Sequence, residues 1–293
     1  MDTVRSRPAY AKVNLHLAVG LPYPDGYHPI QSLFALVDLY DSISLTYEES
    51  RTFSIEVEGL EAYCSAGNDT LTKAARLWHE AGGCPMHLRV RCQKRIPVQA
   101  GLGGGSSDAA TLLLMLQQLV PGRALTQKQL LDVGLQVGSD VPFFLSCNQC
   151  ALVTGRGEVV TPIEPRHLSI VLVMPSFFAI STSSAYRALD MARQTQEPLK
   201  QPGIQTLLQV YKNPTSEWNG LLYNDFQAHS GFSSFYQELE SFCVGYSGFA
   251  SMSGSGACWF FVSEDAQAVS LVHAAIRRAF GERVSCFLTQ LMQ

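Results

Sequence analysis

No apolar run in this sequence approaches the ~18 residues that a membrane-spanning helix requires. There is no excess of positive charge either. The formal net charge is −4, so no global field draws the chain to nucleic acid or to an anionic membrane surface. Met1-Asp2-Thr3-Val4-Arg5 lacks the apolar h-region of a secretory signal, and the expected location is cytoplasmic. Cysteine is sparse, with eight residues scattered along the chain, which reads as reduced thiols. Cys147-Asn148-Gln149-Cys150 fits a Cys-x-x-Cys pattern, but no second pair supplies the four ligands of a structural zinc site. Internal repeats and low-complexity tracts are absent.

What is present is the composition of a folded protein, 46% hydrophobic and 16% charged, in 293 residues that suffice for two domains. From Tyr10 to Val19 the chain alternates. Val13, Leu15, Leu17 and Val19 face one way and Lys12, Asn14, His16 and Ala18 the other, a half-buried strand with a polar face. Ile43 to Tyr47, Phe53 to Val57 and Leu88 to Cys92 alternate again. Leu71, Ala74, Ala75 and Trp78 take helical spacing, with Gly82-Gly83 as the stop. Ala109 to Leu119 is apolar nearly all round, which predicts a buried helix ending near Pro121-Gly122. Thr126 and Gln129 form a capping-box pattern for a helix running to about Gly138.

Farther on, Leu168 to Met174 reads as a buried strand and Thr182 onward as helix. Residues 196–220 read as a looser connection. Cys258 to Val262, Ala266 to Phe280 and Val284 to Leu288 follow as strand, helix and strand. Strands that succeed one another directly favour an α+β fold with antiparallel pairing. The division into two domains is placed at 1–163 and 164–293.

The densest signal is Gly101-Leu102-Gly103-Gly104-Gly105-Ser106-Ser107, ahead of the buried helix. Glycines reach backbone angles closed to other residues, so several N–H groups can converge on one centre at a helix N-terminus, an anion site suited to phosphates. The hydroxyls of Ser106 and Ser107 add ligands for a phosphate oxygen or a magnesium ion. A Walker loop would need lysine after Gly105, where Ser106 stands. A dinucleotide fingerprint would need glycine at position 106 and an acid about 20 residues on, which residues 120–128 do not offer. A tight packing turn is the remaining alternative.

Ile96-Pro97-Val98-Gln99-Ala100 through Asp108-Ala109-Ala110 resembles the phosphate-binding motif of the GHMP kinases. Ala11-Lys12-Val13-Asn14-Leu15 and Met252-Ser253-Gly254-Ser255-Gly256-Ala257 are similar to that family's N-terminal and C-terminal motifs. Pro24-Asp25-Gly26-Tyr27-His28, Gly138-Ser139-Asp140-Val141-Pro142, Gly155-Arg156-Gly157-Glu158 and Asn224-Asp225-Phe226 resemble segments of one branch. That branch phosphorylates a sugar alcohol carried on cytidine diphosphate.

The resemblance implies a ribosomal-protein-S5-like N-terminal domain, a ferredoxin-like C-terminal domain, and ATP with Mg2+. It implies no nucleic-acid or membrane partner, and a monomer or homodimer. It makes Asp140 the base for the acceptor hydroxyl and Lys12 the ammonium beside it. Pro97, Gly101, Leu102, Gly103, Gly104, Gly105, Ser106 and Ser107 fall on the ATP side, with Asn68 and Lys94. Asn14, Tyr27, His28, Thr182, Tyr186, Gly254 and Ser255 fall on the substrate side.

By local reading alone Asp140 is a turn carboxylate, Lys12 and Lys94 are solvated lysines, and Asn68 is a helix N-cap. No acidic residue stands out as a metal ligand. A kinase for another alcohol, such as homoserine or mevalonate, and a nucleotide-binding regulator without catalysis are the competing readings.

Overall fold

The computed structural model describes residues 5–119, 124–194 and 201–292. The first sheet is built on two long strands, β1 (Arg5–Val19) and β2 (Ile30–Glu49), paired antiparallel along almost their whole length. The other edge of β2 is shared. Its first half pairs with β5 and its second half with β4, and β3 and β6 complete six strands. The flanking elements are β3 (Ser54–Glu58), α1 (Thr70–Glu80), β4 (Met86–Gln93), α2 (Gly104–Leu119), α3 (Gln127–Val137), α4 (Val141–Leu145), β5 (Cys150–Gly155) and β6 (Val159–Pro162). Only β3–β4 is parallel in this sheet.

The second half contributes β7 (Ser169–Pro175), α5 (Thr182–Arg193), α6 (Ile204–Lys212), α7 (Ser233–Ser241), β8 (Phe249–Met252), β9 (Trp259–Ser263), α8 (Ala266–Phe280) and β10 (Val284–Gln290). Its four strands form an antiparallel sheet in the order β10-β7-β9-β8. The expected α+β class holds.

The period-2 pattern of each strand explains how the layers stack. On β7, Ile170 and Leu172 pack with Val13, Leu15 and Leu33 of the first sheet, while Val171 and Val173 pack with Val269, Val272 and Ile276 of α8. Phe260 and Val262 of β9 likewise face the first sheet, and Trp259 and Phe261 the helices. The outer face of the first sheet carries α1 and α2, with Trp78, Leu112 and Leu116 against Ile43, Leu45, Leu88 and Val90.

Four expectations change. The polar face of β1 is not solvated: Lys12, Asn14 and His16 are all buried, because Ser253 and residues 223–225 cover it. Helix α2 opens at Gly104, inside the glycine cluster, so the last glycines form its first turn. The loose connection contains α6, whose Leu207, Val210 and Tyr211 enter the core beside Trp218. The cap of α1 is Asp69, which accepts from the Thr72 N–H at 2.7 Å, whereas Asn68 turns outward to Ser65. The capping box of α3 forms as expected. The predicted stop at Pro121-Gly122 lies outside the described residues.

Candidate active site

A cavity of about 1090 Å³ opens between the first sheet with its glycine segment, which forms the floor, and residues 180–190, Phe226 and 254–256 of the second half. Gly101 and Gly103 hold φ values of +72° and +70°, a left-handed conformation that side chains resist. Space enforces the same choice. A Cβ on Gly101 would stand 2.1 Å from the carbonyl oxygen of Ser253, and one on Gly254 would stand 2.9 Å from that of Gly101. Two glycine turns, one from each half of the chain, therefore touch backbone to backbone.

Pro97, Leu102 and residues Gly103 to Ser106 line the cavity, so the N–H groups opening α2 face it. Ser107 is buried behind this wall.

Lys12 reaches the cavity from β1, only 3% exposed in its side chain, and its ammonium lies 3.3 Å from Asp140, 28% exposed. It also donates to Asn14 Oδ1 at 2.6 Å and to the Gly101 carbonyl at 3.1 Å, and sits over the Phe34 ring. Asn14 is itself fixed, donating through Nδ2 to Ser32 Oγ at 2.9 Å. Ser253 Oγ accepts from the Asn14 backbone N–H and donates to the Gly101 carbonyl. Asp140 precedes α4 without capping it, so its carboxylate is left to Lys12 and the cavity. An ammonium, a carboxylate and the opening turn of α2 thus line one cavity.

Aromatic groups gather at the far end. Tyr27 is 58% exposed at the mouth. The His28 ring lies 4.9 Å from Tyr186 of α5, and its Nε2 bonds to Asp190 at 2.9 Å. Burial pushes the Tyr186 phenol up to about 12, with Asp140 and Asp190 adding to the shift. Thr182 and Ser255 join their hydroxyls at 3.1 Å, which ties α5 to the C-terminal glycine turn.

Residues 69–148 match the family model of the GHMP kinases N terminal domain. The 4-diphosphocytidyl-2-C-methyl-D-erythritol kinase of Chloroherpeton thalassium is 33% identical over 277 residues, covering 93% of this chain and 94% of that protein. The chain belongs to the 4-diphosphocytidyl-2-C-methyl-D-erythritol kinase family. The enzyme of that name from Delftia acidovorans is 38% identical over 197 residues, an alignment spanning 66% of this chain and 67% of the relative. A crystal structure of 4-(cytidine 5'-diphospho)-2C-methyl-D-erythritol kinase superposes with a TM-score of 0.76 at 28% identity, over 99% of this chain and 100% of that one.

In this member of the kinase family most of the sequence-derived site residues share the one cavity. Lys12, Asn14, Tyr27, His28, Lys94, Pro97, Gly101 to Ser106, Asp140, Thr182, Tyr186, Gly254 and Ser255 all line it, and Asn68 and Ser107 do not. Lys94 is not solvated. It is buried between Asp41 and Asp108, and although burial pulls its pKa down, the two carboxylates more than reverse this and hold it a cation.

Several lining residues carried no individual signal in the sequence. Arg156 stands 5.0 Å from the centres of the Tyr23 and Tyr27 rings and bonds to Asp25 at 2.6 Å. Hydrogen bonding from the Tyr27 N–H and from Arg156 lowers the pKa of Asp25. The motif Gly155-Arg156-Gly157-Glu158 was the available hint. Asn224 stands outside the lining and likewise gave no individual signal; it donates to the carbonyls of Met252 and Gly254 and so holds the C-terminal glycine turn. Cys147 is exposed and Cys150 buried, both as free thiols.

Proposed function

We propose that the protein transfers the γ-phosphoryl group of ATP to the 2-hydroxyl of 4-diphosphocytidyl-2-C-methyl-D-erythritol, a step in non-mevalonate isoprenoid precursor synthesis. The observation that carries this reading is the Lys12–Asp140 pair, standing in one cavity between the glycine segment and the Tyr27–His28–Tyr186 aromatic group.

Phosphoryl transfer asks for positioning, charge stabilisation and a proton acceptor. ATP phosphates rest on the N–H groups of Gly103 to Ser106. The cytosine lies against the aromatic end, where rings offer a face and His28 a polar edge. The acceptor hydroxyl meets Asp140, which takes its proton as the hydroxyl oxygen bonds to the γ-phosphorus and the bond to the ADP oxygen breaks. The Lys12 ammonium, 3.3 Å from Asp140, offsets the charge growing on the transferred group.

Magnesium would enter with the ATP phosphates and neutralise their charge, and the Ser106 hydroxyl, which lines the cavity, would be a side-chain ligand for it. No cluster of three His, Cys, Asp or Glu fit to hold a metal occurs among the described residues. No helix among them is long and apolar enough to cross a membrane. A cytoplasmic monomer or homodimer, divided into units 1–163 and 164–293 between β6 and β7, completes the reading.

The test is ADP release with the cytidyl substrate, homoserine and mevalonate offered separately. ADP formed only with the cytidyl substrate supports the proposal, and ADP formed with either of the others but not with it rejects the proposal. Binding of ATP without turnover of any alcohol favours a regulator.

A further inference from the structure

Behind the glycine segment lies a group of three ionisable side chains that the chemistry above leaves unused. The Lys94 ammonium sits between Asp41 and Asp108, bonding to Asp41 Oδ2 and, at 2.8 Å, to Asp108 Oδ2. Their side chains are 6%, 0% and 3% exposed. Burying an ammonium with two carboxyl groups is expensive, as the burial that pushes the Asp108 carboxyl up to about 7 shows, and apolar residues of similar volume would stabilise a fold as well or better. A purely architectural purpose is therefore a poor account of them.

Only one of the three reaches the cavity. Lys94 lines it, and its Nζ lies 3.3 Å from the place that a Cβ on Gly104 would take, against the first turn of α2. The two carboxylates are not equivalent. Asp108 gives Lys94 one oxygen, and its Oδ1 has no partner among the described residues. Asp41 is engaged on both oxygens. Oδ2 takes the ammonium, while Oδ1 accepts from the backbone N–H groups of Arg95 and, at 2.9 Å, Ile96. One carboxylate of β2 thus fixes the lysine head and also the backbone that leads into the glycine segment.

We infer that Asp41 is a positioning residue for the donor nucleotide, acting through Lys94: it holds the ammonium at the start of α2, where it meets bound ATP. The inference rests on ATP binding at the glycine segment as proposed above. A lysine on a four-carbon stem has many rotamers, and holding its head against an anion site in advance removes the ordering cost from the binding step. Asp41 touches no cavity space itself, since it is absent from the lining and fully buried.

The test is a double-mutant cycle on Asp41→Asn and Lys94→Gln, reading the KM of ATP and of the acceptor separately, with thermal melting of each variant. The asparagine can keep an oxygen for the Arg95 and Ile96 N–H groups but sets an NH2 against the ammonium, so it attacks the Lys94 contact selectively. Asp41→Asn should raise the KM of ATP about tenfold and leave that of the acceptor within about twofold. Combined with Lys94→Gln it should cost no more than Lys94→Gln alone, because both act along one route.

An unchanged ATP KM in Asp41→Asn overturns the inference. So does an equal rise in both KM values, which marks a merely structural role, or full additivity in the double variant. Should Asp41→Asn not fold, Asp41→Glu keeps the charge but is one methylene too long to serve both partners. A selective rise in its ATP KM supports the inference and an unchanged value overturns it. If the wild-type chain neither binds nor turns over ATP, the proposed function fails, and that outcome is separate from these.

Discussion

The ammonium of Lys12 stands 3.3 Å from Asp140 while it also donates to Asn14 and to the carbonyl of Gly101. Three acceptors around one buried cation fix its position before substrate arrives, and Asp140, partly exposed to the cavity, is the carboxylate among them.

Asp140→Asn removes the proton acceptor and leaves the glycine segment intact. Turnover should fall by about 10²–10⁴, while ATP affinity, measured by titration of the unreacting variant, stays near that of the parent. Near-normal turnover would exclude Asp140 as the base.

Tyr27 is well exposed at the cavity mouth, with Arg156 5.0 Å from its ring centre. Tyr27→Ala should raise the KM of the cytidyl substrate by the worth of one stacked base, about 1–3 kcal/mol or roughly 5- to 150-fold. The KM of ATP should change little. The reverse pattern would move the base pocket elsewhere.

Gly101→Ala places a methyl group 2.1 Å from the Ser253 carbonyl, at a residue with φ +72°. Backbone strain alone costs about 1–3 kcal/mol, and the contact between the two glycine turns must also open. Lower thermal stability together with a raised ATP KM is expected. Loss of stability with an unaltered ATP KM would detach the segment from nucleotide binding.

His16 is wholly buried, and burial pulls its pKa down to about 4. Its Nδ1 accepts from the Tyr223 N–H, and Nε2 has no partner among the described residues. Between about pH 4 and 6.5 the unfolded chain binds a proton there that the folded chain refuses. Stability contributed by the neutral ring is therefore present above pH 6.5 and lost as pH falls toward 4, by up to about 3 kcal/mol. Urea unfolding across this range should show a shallower loss in His16→Gln than in the parent, and parallel curves would contradict the assignment.

Much of the fold was legible because its strands and helices are strongly periodic. The capping box at Thr126, the span of α8 and the alternation on β7 appear where periodicity puts them. The polar face of β1 was misread for a physical reason. Alternation states that two faces differ, and is silent on whether water or another part of the protein covers the polar one. Here the cover comes from Ser253 and residues 223–225, more than 200 positions away, which local spacing cannot reveal.

Helix α6 was obscured by the polar residues around it, although Leu207, Val210 and Tyr211 keep helical spacing. In the site, Lys12 and Asp140 were found through motifs, not through local pattern. Asp41 bonds to Lys94 and Arg95 beyond its own strand and so leaves no local trace, while Arg156, bonded to Asp25, showed only through its motif.

The meeting of the two glycine turns has a consequence for the birth of the protein. Ser253 bonds to Asn14 and Gly101 across 239 and 152 residues. As the chain leaves the ribosome, the whole phosphate segment and the Lys12–Asp140 pair emerge long before the turn that backs them. A nascent chain ending short of Ser253 lacks the backing of Gly101, so the two glycine turns can meet only after the segment that carries Ser253 has been made.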